Sequence, residues 1–324
     1  MKVKLWGVRG SLPAAPDQSS VLNKIKKALN SFVDFQKQNP EVSVQDFLSS
    51  SESHLRCYGG HTSCLEIFSD QIQLIVDGGS GIRPLAEHMM LGAAGLGRAE
   101  IHILMTHFHW DHLIGLPFFT PLFIPGNKIH FYAVQEDLEE NIRRMFTKPN
   151  FPVPFEALGS EIFFHRLEPR RSKKFADIEV TPYQLDHPDP CWGYRFERLG
   201  RAYAHCVDTE GVRVSPDDLG EDVKLYRGVQ AMTFDAQYSF EEAAEKINWG
   251  HSSAPIGLDI AMRERIPKVF FMHHDPSADD EQIQKLEAKT REYYDKRQLA
   301  LSQSGQQPFE VEWCFARDGI VFDV

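Results

Sequence analysis

Four side chains that could bind metal ions fall within the six residues HFHWDH, from His107 to His112. The apolar run 101–105 precedes them and predicts a buried strand, so the motif occupies the loop that leaves this strand and enters a helix. His107 and His109 lie two apart and point to one side of extended chain, whereas Asp111 and His112 open the helix. Imidazole and carboxylate suit zinc, manganese or iron, and two ligand pairs this close favour two ions over one. A polar loop that is rich in histidine by chance is the alternative.

Further candidates follow predicted strands in the second half of the chain: His187, Asp208, Asp235 and His273. A lone histidine before a proline, such as His187, would ordinarily be a polar loop residue without a metal-binding role. Its candidacy rests on the other polar residues, because ligands at several strand ends can meet at one edge of a sheet.

Other histidines have simpler interpretations. His130, His165 and His205 lie inside predicted strands, and we interpret them as structural. Asp77 ends the apolar strand 71–76 before glycines, so it either forms an Asp-Gly turn or orients a metal-binding histidine. Arg9 is as consistent with a loop-anchoring cation as with a substrate contact.

Strands and helices alternate along the whole chain, which predicts a layered α/β fold with its site along one sheet edge. Residues 65–76 predict a hairpin, and acidic residues after Ser277 predict the start of a long helix. The last two strands, 309–316 and 320–324, are joined by Asp318-Gly319 and predict a closing hairpin.

Residues 17–53 predict a helical insertion in a single domain that spans residues 1–324. Apolar residues at helical spacing fill 19–39, where Ser19 or Ser20 could form the N-cap. Ser43 and Asp46 resemble a capping box before a shorter helix. The insertion carries no ligand pattern, so we expect a lid or a dimer element.

Composition excludes several classes of protein. The 324 residues have a formal net charge of −11, which opposes general DNA or RNA binding because phosphate contacts need a basic face. Five scattered cysteines predict reduced thiols and a cytoplasmic protein. Neither a signal peptide nor an apolar run long enough to span a membrane is evident.

Eight segments together resemble the tRNase Z-like phosphodiesterase branch of the metallo-β-lactamase superfamily: LWGVRGSLPA, CYGGHTSCLEI, THFHWDH, LDHPDPCWGYRFE, CVDT, FDAQYS, WGHSS and FFMHHDP. The resemblance runs from residue 2 to about 280 outside the insertion, and the last helix and strands are only loosely covered. It implies a four-layer αββα sandwich and two divalent metal ions, with Zn²⁺ the first choice and Mn²⁺ the alternative.

The resemblance also implies a set of metal ligands. One ion is expected to bind His107, His109 and His187, and the other to bind Asp111, His112 and His273, with Asp208 bridging both. His273 is preferred to His274 because the family pattern places the ligand directly after the apolar strand.

A catalytic pair is implied as well. His251 matches the histidine of the family's HST motif, with Ser253 where threonine is usual, and Asp235 matches the acidic residue that pairs with that histidine. His61 stands where the family commonly has asparagine.

These features imply hydrolysis of a small cyclic nucleotide or similar phosphodiester through a metal-bridging hydroxide, by a protein that forms a homodimer. An RNA 3′-processing nuclease is the alternative, but it is expected to carry a basic Gly/Pro-rich arm that binds tRNA. The sequence does not show such an arm. β-Lactamase, thioesterase and arylsulfatase activities fit the same fold, and a non-catalytic metal-containing nucleotide-binding protein is a further alternative.

Overall fold

The computed structural model describes residues 1–50 and 57–324, and two seven-stranded sheets form the centre of this part of the chain. In spatial order the first sheet contains β14 (Val321–Asp323), β1 (Lys2–Gly7), β2 (Cys64–Phe68), β3 (Gln73–Val76), β4 (Glu100–Leu104), β5 (Lys128–Ala133) and β6 (Glu161–Arg166). The second contains β13 (Glu312–Phe315), β12 (Lys268–Met272), β11 (Ala231–Asp235), β10 (Arg201–Cys206), β9 (Trp192–Arg198), β8 (Ile178–Gln184) and β7 (Lys173–Phe175).

Helices connect the strands and cover the outer faces of both sheets. They are α1 (Gln18–Gln38), α2 (Val44–Ser50), α3 (Ile82–Met89), α4 (Trp110–Leu113), α5 (Leu138–Arg144), α6 (Pro216–Leu219), α7 (Phe240–Glu245), α8 (Ala254–Glu264) and α9 (Asp280–Gln303), with short 3₁₀ turns between some of them. Among the described residues, no helix is both long and apolar enough to cross a lipid bilayer.

Three apolar clusters hold the layers together. Side chains of both sheets, such as Leu5 of β1 and Phe196 of β9, interdigitate in a central cluster. On the outer face of the first sheet, strand residues pack against α3 through Leu85, and on the outer face of the second they pack against α8 and α9 through Leu258 and Ile283. Each sheet is therefore buried on two faces, which confirms the predicted four-layer αββα sandwich.

The strand directions bring the candidate residues to one edge. Strands β10, β11 and β12 are parallel neighbours, so their carboxyl ends, which lead to Asp208, Asp235 and His273, lie side by side. In the other sheet β3 and β4 are also parallel, and β4 leads into the loop that begins at His107. The site consequently receives residues from both sheets.

The predicted insertion contains α1 and α2, while its last residues, 51–53, lie outside the described part of the chain. The expected N-cap was wrong, because the Asp17 carboxylate accepts the backbone N–H of Ser20 at 2.6 Å. Ser43 and Asp46 do form the reciprocal bonds of a capping box. Helix α1 buries no residue, and Leu22, Ile25 and Leu29 on it are exposed.

The expected closing hairpin was also wrong. Strand β13 pairs in parallel with β12 in the second sheet, whereas β14 pairs antiparallel with β1 in the first. Residues 316–320 therefore cross from one sheet to the other. The Asp318 carboxylate accepts backbone N–H groups of Val8, Gly60 and His61 at this crossing, so the segment is anchored to loops of the first sheet rather than folded into a tight turn.

Candidate metal centre

Seven predicted side chains converge at this edge in two groups that share Asp208. The first group contains His107, His109, His187 and Asp208, and the second contains Asp111, His112, His273 and Asp208. Within each group the potential ligand atoms all lie within 4.8 Å of one another.

In the first group, two imidazole nitrogens that carry no hydrogen atom face each other. His187 donates its Nδ1 hydrogen to the carbonyl of Gly250 at 3.0 Å, and His109 donates its Nε2 hydrogen to Asp189 at 2.8 Å. The remaining nitrogens, His187 Nε2 and His109 Nδ1, are 3.2 Å apart. Two lone pairs at this distance repel each other unless a cation accepts both, and nitrogens on one tetrahedral zinc ion stand about 3.3 Å apart.

The second group has the same organisation. His112 donates from Nδ1 to Asp77 at 2.7 Å, and His273 donates from Nδ1 to the side-chain oxygen of Gln237 at 2.8 Å. The Nε2 atom of His273 is then directed at Asp111 and Asp208, 3.0 Å from an oxygen of each. Outer partners of this kind fix the tautomer and orientation of metal-binding histidines.

Several atoms at the meeting point of the two groups are buried without a hydrogen-bond partner: His107 Nε2, His112 Nε2, and Oδ1 and Oδ2 of Asp208. Unpaired buried polar atoms are costly and need a partner that the protein atoms do not provide. Together with the nitrogen pair of the first group, these atoms fit divalent cations.

The charges of the metal-free site support the same interpretation. Burial alone would raise the pKa of Asp208, but His273 and His112 hold it well below its usual value. Burial lowers the pKa of His112, yet Asp111, Asp208 and Asp77 outweigh this effect and raise it well above normal. Without cations, a proton on His112 is thus needed to offset the charge of the neighbouring carboxylates. A bound cation could supply this positive charge instead.

His251 and Asp235 form a pair beside the two groups. The Asp235 carboxylate accepts the Nδ1 hydrogen of His251 at 2.9 Å, and the His251 ring stacks on His273 at 4.7 Å between centroids. Burial lowers the pKa of His251, but Asp235 and then Asp208 more than offset it, so that the pKa rises to about 9. These two residues also form a third potential ligand group with Asp208 and His273. Unlike the other members of this third group, Asp235 and His251 already satisfy each other through their hydrogen bond.

Other predicted residues lie outside the two groups. His274 donates from Nε2 to the carbonyl of Ala316 at 2.8 Å and so points away from the carboxylates that His273 faces. His205 bonds Thr233 at 2.8 Å. His130 and His165 bond each other on β5 and β6.

Arg9 has a structural role among the described residues. Its guanidinium group donates to the carbonyls of Gly59, Asp275 and Ala278, all at 2.9 Å or less. These contacts favour the loop-anchoring interpretation of Arg9.

The sequence prediction missed three contributors. Asp189 and Gln237 hold His109 and His273, and the backbone N–H of Ser11 donates to Asp111 Oδ2 at 2.8 Å. The only local signal was that Gln237 lies two residues beyond Asp235, because the other contacts join segments that are remote in sequence.

A family profile described as a β-lactamase superfamily domain matches residues 78–274, a range that contains every candidate ligand and the His251–Asp235 pair. Ribonuclease BN of Escherichia coli O1:K1 is 24% identical over 268 residues, which cover 66% of this chain and 83% of the relative. Among solved structures, a diphosphatase from the PhnP family aligns with a TM-score of 0.57 at 18% identity, covering 100% of this chain and 97% of the other. The short form of human tRNase Z aligns with a TM-score of 0.60 at 17% identity, covering 100% and 99%.

Proposed function

Because the chain belongs to the β-lactamase superfamily, we propose that it is a metal-dependent hydrolase of phosphodiesters that acts on a small cyclic nucleotide or a similar diester. The observation that carries this proposal is that two convergent ligand groups lie beside a histidine, His251, which is hydrogen-bonded to a carboxylate. Metal ligands alone would fit many activities of the fold, whereas an adjacent acid suits a reaction whose leaving group is an alkoxide.

We assign the predicted ligands to two divalent cations, with zinc preferred because imidazole predominates. The first ion would be held by His107, His109 and His187, the second by Asp111, His112 and His273, and Asp208 would contact both. When bound, such cations neutralise charge on phosphoryl oxygens and acidify a water molecule.

The remaining chemistry belongs to His251 and Asp235. With Nδ1 bonded to Asp235, His251 presents Nε2 as its free donor, which can protonate the departing oxygen. Asp235 fixes this tautomer and raises the pKa of His251, which favours the protonated form of the acid.

An RNA-processing nuclease is the second candidate, since the E. coli relative is named a ribonuclease and a human neighbour is a tRNase Z. The net charge of −11 opposes it, because an RNA substrate with many phosphates is repelled by an acidic surface. A small diester carries a single phosphate charge that two cations can balance. The charge therefore favours the small substrate.

The direct test combines metal analysis with a substrate panel. The purified protein is assayed by plasma emission for bound metals, then with zinc and with manganese on cyclic nucleotides, linear dinucleotides and a precursor tRNA. We expect about two ions per chain and preferred turnover of a small diester. Asp208→Ala should lose metal and activity together. The matched control is Asp217→Ala, at an exposed position of α6.

Preferred cleavage of the precursor tRNA would support the nuclease instead. A protein that binds metal and nucleotides but hydrolyses none of the panel would support the non-catalytic alternative. Activity of Asp208→Ala equal to the wild type would refute the proposed centre.

A further inference from the structure

A cavity of about 470 Å³ lies against the loop after β1 and the chain segment that follows α4. Its walls are mainly apolar and include Pro13, Ala15, Ile114 and Phe118. This volume falls in the range of about 300–1,000 Å³ that is typical of small-molecule sites. Neither the candidate metal ligands nor the His251–Asp235 pair line the cavity, so nothing described above accounts for it.

Two short stretches of chain connect the cavity to the metal centre. Ser11 donates its backbone N–H to Asp111, and a Cβ atom on Gly10 would lie 2.3 Å from His273 Nδ1, so this backbone lies directly on two ligands. The cavity wall begins two residues later, at Pro13. Since a residue spans at most about 3.6 Å, the wall starts within about 7 Å of Ser11.

The second connection runs through α4. Ile114, another wall residue, follows the ligand His112 by two positions. A phosphate group at the metal centre would therefore have one of its ester substituents within reach of the cavity.

The chemistry of the walls selects an aromatic occupant. Phe118 is 59% exposed and its ring contacts Phe151 edge-on at 5.9 Å, which steadies a ring that would otherwise be free on the surface. Among the described residues that line the cavity, Arg83 supplies positive charge and carboxylates are absent. Burial lowers the pKa of His61, so this lining side chain is neutral and polar. Apolar walls, a ring face and a guanidinium group suit a flat ring with polar edges.

We propose that this cavity binds an aromatic ring, such as a nucleobase, on the alcohol that stays attached to phosphate after hydrolysis. This inference rests on the proposed phosphodiesterase function and specifies its substrate class. The retained group is assigned to the cavity because the proton donor His251 contacts Asp235, His187, Tyr238 and His273, none of which lines it. The departing oxygen needs His251 and so lies away from the cavity.

The experiment uses two diesters with one leaving group, phenyl p-nitrophenyl phosphate and methyl p-nitrophenyl phosphate, and the metal-loaded protein. We expect a higher kcat/KM for the phenyl diester. Phe118→Ala should lower kcat/KM for the phenyl diester by about 5- to 140-fold, the range for removing an aromatic stacking partner, and leave the methyl diester unchanged. Ala15→Phe, which fills the cavity from an exposed loop position, should have the same selective effect.

Phe163→Ala is the matched control, because Phe163 is partly exposed on β6 and stacks on His130 instead of lining the cavity. A second readout needs no turnover: calorimetry should show that phenylphosphonate binds more tightly than methylphosphonate to the wild type, and that Phe118→Ala removes the difference.

Equal effects of Phe118→Ala on both diesters, or equal binding of both phosphonates, would overturn the cavity assignment. If the metal-loaded wild type hydrolyses neither diester, the proposed function fails, while the phosphonate measurement still decides whether the cavity holds an aromatic ring.

Discussion

Replacing His251 with alanine separates proton donation from metal binding. The pKa of His251, raised to about 9 chiefly by Asp235 against the effect of burial, favours the protonated form at pH 7 when no metal is bound. Loss of a positioned general acid lowers turnover by roughly 10² to 10⁴, or about 3–5.5 kcal/mol of barrier. We expect this full loss for substrates whose leaving group is a ribose oxygen. It should shrink for p-nitrophenolate, which departs without a proton.

The assay measures kcat on both kinds of diester at equal metal occupancy, which is checked by metal analysis of each preparation. His88→Ala, an exposed histidine on α3, is the matched control and should behave like the wild type. Equal losses on both leaving groups would show that His251 binds phosphate instead of protonating the product. Unchanged rates on both would remove it from the mechanism, and loss of metal would make it a ligand.

Three further outcomes follow from the contacts around the centre. Asp235→Asn should lower the pKa of His251 in the metal-free protein from about 9 toward 6.5, as measured by NMR titration, because Asp235 is its strongest favourable charge. Since the folded-state pKa is the higher one, the pair stabilises the metal-free fold fully below pH 6.5. That stabilisation disappears as the pH rises through 9, so the variant's deficit in unfolding free energy should shrink over this interval. Asp189→Ala should weaken metal binding through His109 by about 10-fold, measured in competition with a chelator. This is the low end of the usual range, because the His109–Asp189 pair is exposed. An unchanged metal affinity would contradict the orienting role of Asp189. Deleting residues 17–53 should change KM or the sedimentation behaviour and leave metal content intact, since the exposed apolar face of α1 supplies no ligand; a folded deletion variant without metal would refute this.

Local patterns in the sequence predicted the parts of the site that depend on strand ends. An apolar run followed by polar residues predicts a strand that stops at the edge of a sheet, and His107 and Asp208 do lie just beyond the ends of β4 and β10. The contact between Asp77 and His112 was also foreseeable, because Asp77 ends the strand next to the one that leads into the loop beginning at His107. The spacing of apolar residues likewise predicted α1 to within one residue at each end.

Features that depend on distant segments were not predictable in this way. Strands β13 and β14 are close in sequence and separated by a turn-like Asp-Gly pair, yet each finds a better partner in a different sheet. Asp189 meets His109 across 80 positions, so no local pattern identifies it. The cap of α1 was missed because Asp17 precedes two serines that are equally competent, and backbone direction alone decides which side chain reaches the free N–H groups.

The division of the ligands between the sheets has a consequence for assembly and stability. In the proposed centre the loop after β4 would contribute four ligands from the first sheet, whereas His187, Asp208 and His273 would come from the second. Cations bound as proposed would fasten the two halves of the sandwich to each other, and stability should then increase with free metal concentration by thermodynamic linkage. During synthesis the amino-terminal half would then emerge with an incomplete centre. The proposed centre would reach full affinity only after residue 273 has left the ribosome and the second sheet has docked.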